Sequence, residues 1–178
     1  APGSTMINAR VETVTEKPAY RKAAAARRCL LPAAGYYEWR PEVPVGAAKA
    51  VKQPYFLHPA SGLFVMAGLY EFWKGPAGWL SSTTIITTQA TDELGWGHDR
   101  MPMIVPREHW DEWLDPGATD AAAAVALLRA PTPLGHRRGS RAVNTAGNDG
   151  PQPVSFTHFR THASVIDHLC PLLPQKTK

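Results

Sequence analysis

The sequence predicts an α+β protein with a mostly antiparallel β-sheet, a barrel-like core and a few short helices. Three observations carry this. Strand-like segments at 55–58, 63–73 and 79–88 follow one another across short turns, as antiparallel neighbours do. The helical patterns are short and few. The 17 prolines and 14 glycines interrupt the chain too often for a long-helix bundle or a coiled coil. At 178 residues, 44% of them hydrophobic, one domain with a packed core is expected, and disorder is excluded for most of the chain.

Taken in order, a helix is predicted over 16–28, opening at Thr15 or Glu16. Pro18 would sit in its first turn, where a missing N–H costs little, and the run Ala23 to Ala26 has high helix propensity. Residues 29–39, apolar and aromatic, read as one strand kinked at the Pro32-Ala33-Ala34-Gly35 step. The Pro/Ala/Gly/Lys-rich stretch 40–53 reads as a loop. The strand at 55–58 ends at Pro59, and Ser61-Gly62 turns the chain into the strand at 63–73. Gly75-Pro76-Ala77-Gly78 turns it again into 79–88, whose run Thr83-Thr84-Ile85-Ile86-Thr87-Thr88 is rich in β-branched residues.

Residues 95–102 read as a loop leading into a short strand at 103–105. Pro106 opens a helix to Leu114, with Trp110, Trp113 and Leu114 on one apolar face. Asp120 caps a second helix over 121–129. Residues 131–141 read as a loop, 142–144 as a short strand and 148–151 as a turn, and the chain is irregular from His158 to a frayed end. With no internal repeat and no linker, residues 1–178 are expected to form a single domain.

Charge is unevenly spread under the net +4. Residues 1–52 carry nine basic and four acidic side chains, 92–120 carry two and eight, and 121–178 carry seven and two. The acidic stretch, with Glu108, Asp111, Glu112 and Asp115, fits a solvated helix face. The basic ends could face a polyanion, because Lys and Arg neutralise phosphates and release counterions, or could be ordinary surface. No apolar run reaches the eighteen or so residues of a membrane span, so no membrane association is expected. No signal peptide is visible at the start. Cys29 and Cys170 form no CxxC pair, which excludes a disulfide scaffold and a cysteine-rich zinc site and predicts a reducing, cytoplasmic setting.

Dinucleotide, P-loop, zincin and nucleophile-elbow motifs are absent. What remains are polar residues in apolar or tightly turned contexts. Glu38, between Tyr37 and Trp39, is either an edge residue reaching solvent or a half-buried acid with a raised pKa. His98 lies in a Gly-flanked loop, where catalytic residues and plain surface histidines both occur. Asn8 and Arg10 could bind a phosphate or a substrate amide, or could form a capping cluster. Cys29 and Cys170 read as inert core thiols. The six Trp and five Tyr could stack bases, although core packing accounts for most of them.

Four ordered stretches together resemble one family. Asn8-Ala9-Arg10-Val11-Glu12-Thr13 with Glu16-Lys17-Pro18-Ala19-Tyr20-Arg21 is similar to its N-A-R-x-E-T…E-K-P-x-[FY]-R segment. Residues 28–39 resemble R-C-[LI]-[LIV]-P-A-x-G-[FY]-Y-E-W, and His98-Asp99-Arg100-Met101-Pro102 resembles H-x-R-M-P. Asn144 with Asn148-Asp149-Gly150 resembles the C-terminal V-N…N-D-G/P pattern. The chain is identified on these motifs as similar to the SOS response-associated peptidase (SRAP) family, from Met6 to about Pro153.

The resemblance implies a mixed α/β, mostly antiparallel fold around a DNA-binding cleft. It implies a sensor of abasic sites in single-stranded DNA within the SOS and DNA damage response. In that family the N-terminal Cys reacts with the ring-opened sugar through its α-amine and thiol, giving a thiazolidine DNA–protein crosslink that protects the lesion. Carried over by motif, Asn8 would position that Cys, Glu38 would transfer protons beside the amine and sugar, and His98 would assist Schiff-base chemistry and crosslink reversal. Arg10 and Arg100 would bind the DNA backbone, Thr87 would contact a phosphate, and Trp39 would line the cleft. No metal or organic cofactor is implied. The expected partner is single-stranded DNA with abasic sites, bound by a monomer in the cytoplasm near the nucleoid.

The family's Met-Cys-Gly-Arg start and its W-G-L-[IV]-P stretch are not among these residues, which begin near the point where that region ends. The expectation is a segment deleted, nicked or left out, with the nucleophile in it, so that the chain alone would be inactive. Two other readings compete with the crosslinking enzyme. One is a non-covalent single-stranded DNA-binding module. The other is a Cys-dependent (auto)peptidase, a hydrolase, using Glu38 and His98.

Overall fold

Where buried and exposed side chains alternate, the chain extends; where alanines cluster, it coils. The computed structural model describes residues 6–90, 99–131, 134–145, 147 and 148. The strands are β1 (Asn8–Arg10), β2 (Arg28–Ala33), β3 (Tyr36–Glu42), β4 (Val51–Pro59), β5 (Phe64–Gly75), β6 (Gly78–Gln89), β7 (Arg100–Pro102) and β8 (Leu134–Arg138). The α-helices are α1 (Arg21–Ala26), α2 (Trp110–Leu114) and α3 (Ala121–Ala126).

The predicted class holds: α+β, mostly antiparallel, with short helices. The strands form two open sheets, and the described residues close no barrel. The larger has the order β1-β6-β5-β2, with β7 also on β6. All its pairs are antiparallel except β1 on β6, which is parallel with Asn8 opposite Ile85 and Arg10 opposite Thr87. The smaller sheet is β3-β4-β8, antiparallel throughout. One turn, Pro76-Ala77 between the paired Gly75 and Gly78, joins the long hairpin β5–β6, and Gly78 takes φ +113°, which a side chain would disfavour.

Residues 1–138 form one compact unit and 139–178 a second. In the first, Ala9, Ala67, Leu69 and Ile86 line one face of the larger sheet. Against them pack Ala23 and Ala24 of α1, Trp113 of α2 and Ala124 of α3. In the second, Arg141–Asn144 form a 3-10 helix capped by the Ser140 hydroxyl, and Asn148 Nδ2 donates to the Ala142 carbonyl at 2.9 Å.

Several element boundaries differ from those expected. The helix predicted over 16–28 is only Arg21–Ala26. A 3-10 turn at Val11–Thr13 precedes it, and the carbonyls of Thr13 and Lys17 close tight turns around Pro18, which has no N–H to extend a helix. The single kinked strand at 29–39 is two strands, β2 and β3, lying in different sheets. The predicted loop 40–53 is shorter, because β3 runs to Glu42 and β4 starts at Val51. The loop predicted at 131–141 holds β8, where Arg137 lies 4.9 Å from the Phe56 ring and Arg138 bonds Glu42 and Gln53. Pairing with β4 overrides the local Gly and Pro signals there.

Residues 142–144 coil instead of extending, because Ser140 caps them. The strand expected at 103–105 pairs earlier, as β7, with only Ile104 bridging Met66 and Arg129. The helix from Pro106 starts as a 3-10 turn at Arg107–His109, which shifts the phase of the apolar face. Trp113 is fully buried, Trp110 is packed against the core, and Leu114 is 45% exposed. Asp120 caps α3 as predicted, its Oδ1 accepting from Ala122 and Ala123. Of the turn expected at 148–151 only Asn148 is described, and the irregular tail from His158 and Cys170 lie outside the described residues.

Candidate nucleic-acid interface

Strand alternation decides what β1 shows to solvent. Ala9 is fully buried in the core, so Asn8 and Arg10 project together from the other side of the sheet, both exposed. The Tyr20 hydroxyl donates to the Asn8 carbonyl at 3.2 Å and ties this strand to the turn before α1.

The neighbouring strands supply the rest of the corner. Thr87 of β6 is buried opposite Arg10, and its hydroxyl donates to the Ala9 carbonyl at 3.4 Å. Arg100, at the start of β7, reaches back over it. Its Nη2 donates to the Thr87 carbonyl at 2.5 Å, and Nη1 and Nη2 grip both Glu12 oxygens at 2.8 and 2.9 Å. The hydrogen bonds from Arg100 hold the Glu12 carboxyl below its ordinary value, and the charges of Arg100 and Arg10 add to this. Asn8, Arg10, Thr87 and Arg100 therefore meet at one corner of the larger sheet.

Glu38 and Trp39 lie on β3 in the smaller sheet. As strand neighbours they face opposite sides. Trp39 shares a face with Tyr37, whose ring lies 6.4 Å away, and Tyr37 packs on Phe56 at 5.1 Å. Glu38 shares its face with Tyr36, which packs at 6.0 Å on Phe64 of the larger sheet. Burial, with a contribution from the Glu38 charge, raises the Tyr36 phenol strongly. His98 lies outside the described residues. Cys29 is a free, half-buried thiol whose pKa burial raises, in keeping with an inert group.

Glu12 was visible in the sequence only as a letter of a motif. Its pairing with Arg100 spans 88 positions, and no local signal announces it. A cavity of about 190 Å³ opens beside Met6 between Tyr20, Tyr70 and Thr84, and no predicted site residue lines it. Among the described residues no group of three or more His, Cys, Asp or Glu gathers as a metal site. No described helix is long and apolar enough to cross a membrane.

Fold and corner together define an α+β protein of two open sheets with a polar, partly basic site on its parallel edge strand. This chain belongs to the SOS response associated peptidase (SRAP) family, whose profile matches residues 1–146. It is 41% identical over 131 residues to the abasic site processing protein YoqW of Bacillus subtilis (strain 168), covering 71% of this chain and 55% of that protein. It is 31% identical over 167 residues to the abasic site processing protein HMCES of Xenopus tropicalis, covering 82% and 48% respectively. A crystal structure of a protein from Bacteroides thetaiotaomicron superposes with a TM-score of 0.71 at 30% identity, covering 85% of this chain and 66% of that one. The chain thus spans about half the length of the curated relatives it matches.

Proposed function

We propose that this protein processes abasic sites in single-stranded DNA by forming a covalent crosslink, as a monomer acting on DNA under repair. The observation that carries the reading is the joint projection of Asn8 and Arg10 from β1 beside Arg100, in a chain whose relatives YoqW and HMCES are abasic site processing proteins. Arg10 meets the strand's phosphates and Trp39 offers a ring for base stacking. The nucleophile in this reading is an N-terminal Cys, which is not among the 178 residues.

The chemistry balances without a cofactor. The α-amine adds to the aldehyde carbon of the ring-opened sugar, and water leaves to give an imine. The Cys sulfur then adds to the same carbon, its proton passing to nitrogen, and a thiazolidine closes. Asn8 orients the amine, Glu38 carries protons between the amine and the sugar hydroxyls, and His98 supplies the acid that forms and collapses the imine.

The test is a denaturing gel of the protein carrying the family's N-terminal segment, mixed with abasic and intact single strands. A denaturant-stable band on abasic strands alone, lost on replacing the N-terminal Cys, is expected. Salt-sensitive binding with no stable band would instead establish a non-covalent binding module.

A further inference from the structure

The family resemblance gives Arg100 to the DNA backbone, yet in this structure its fork is already filled. The two Glu12 oxygens hold Nη1 and Nη2 at 2.8 and 2.9 Å. A guanidinium grips a phosphate with the same planar, two-pronged geometry. The two partners differ in freedom. The Arg100 side chain is 17% exposed and anchored to the Thr87 carbonyl, whereas Glu12 is 48% exposed on a single 3-10 turn. Glu12 is therefore the member able to swing into water. It also sits two residues from the exposed Arg10, so an anion arriving at β1 meets Arg10 and competes with the Glu12 carboxylate for Arg100.

We propose that Glu12 is a placeholder for a DNA phosphate, holding the Arg100 fork in the free protein and releasing it to the backbone when a strand lies along β1. The inference rests on the DNA reading above but concerns the phosphate alone, not the lesion. Glu12 is a positioning residue: in the free protein it keeps a largely buried guanidinium aimed and neutralised. In the complex its place is taken by an anion of the same shape. Half-exposed ion pairs are weak in water, so a second anion can displace the carboxylate.

The test is fluorescence anisotropy of an intact oligo-dT strand, without abasic sites, across a salt series. Removing the competing charge with Glu12→Gln is expected to tighten binding about threefold at low salt and to leave the log K against log salt slope unchanged, because Arg100 meets the same phosphate in both complexes. Arg100→Gln should make the slope shallower by about 0.7, the value for one phosphate contact on a single strand, and the double variant should match Arg100→Gln. Urea melts report whether each variant folds. A Glu12→Gln protein that folds and binds no more tightly than wild type, or a double variant that binds more tightly than Arg100→Gln, overturns the proposal, since a merely structural brace would change stability and not the affinity.

A measurement on the unaltered protein needs no variant. Saturating oligo-dT should return the Glu12 carboxyl, followed by NMR titration, towards its ordinary value, and an unchanged Glu12 signal overturns the exchange. Loss of the abasic crosslink with the Glu12→Gln gain intact sinks only the lesion reading. The reverse sinks only the placeholder, and no strand binding at all sinks both.

Discussion

Two arginines show how much one side chain decides. Arg28 is 5% exposed, and among the described residues the hydrogen bonds of its guanidinium go to backbone carbonyls. It donates to the carbonyls of Ala24 and Ala25 at the end of α1, and of Trp113 and Asp115 at the end of α2. These are the acceptors that a helix C-terminus leaves unpaired, and a cation complements the dipole there. Arg28→Lys, which keeps the charge and loses the fork, should destabilise the fold by about 1–2 kcal/mol, and Arg28→Ala by about 3 kcal/mol. Urea unfolding with an unchanged m-value checks both. At Arg100, the bonded Glu12 has a folded pKa below its ordinary 4.5. Its contribution is thus complete above that value and is lost as pH falls through the lower folded pKa. Thermal midpoints of wild type and Glu12→Gln should converge as the medium is acidified below the ordinary carboxylate range, and a constant gap would contradict the pairing. Asn8 and Arg10 were legible in the sequence through their motif. The Glu12–Arg100 bond was not, because long-range pairs leave no periodic trace.

At the scale of elements, β-branched runs and turn glycines made β5 and β6 readable, and the helix cap at Asp120 was readable from one residue. Asp120→Ala should cost about 1 kcal/mol and Asp120→Asn almost nothing, as measured by thermal melts. The break between β2 and β3 was hidden, since an apolar run carries no mark of which sheet it joins. Gly35 makes the crossing feasible: a Cβ there would run into the Leu57 carbonyl and the Phe56 ring of β4. Gly35→Ala should therefore destabilise the smaller sheet by about 1–3 kcal/mol through overpacking, read out as a lowered unfolding midpoint. β8 was hidden for a different reason. Its Gly-His-Arg-Arg sequence is a poor strand in isolation, and cross-strand contacts with Phe56, Glu42 and Gln53 make it one.

For the molecule as a whole, the sequence predicted the class and the family, and both hold. The sequence showed the site residues as a set, and the structure divides the described ones between two sheets. Asn8, Arg10, Thr87 and Arg100 form the corner of the larger, while Glu38 and Trp39 stand on β3 of the smaller. The proposed chemistry draws on groups from both sheets. The most direct measurement is the intact mass of the adduct formed between an abasic single strand and the protein carrying the family's N-terminal Cys. The account predicts a species weighing the protein plus the strand less one water, absent with an intact strand and absent when that Cys is replaced. Unchanged masses for protein and strand, or an adduct that persists without the Cys, would contradict it.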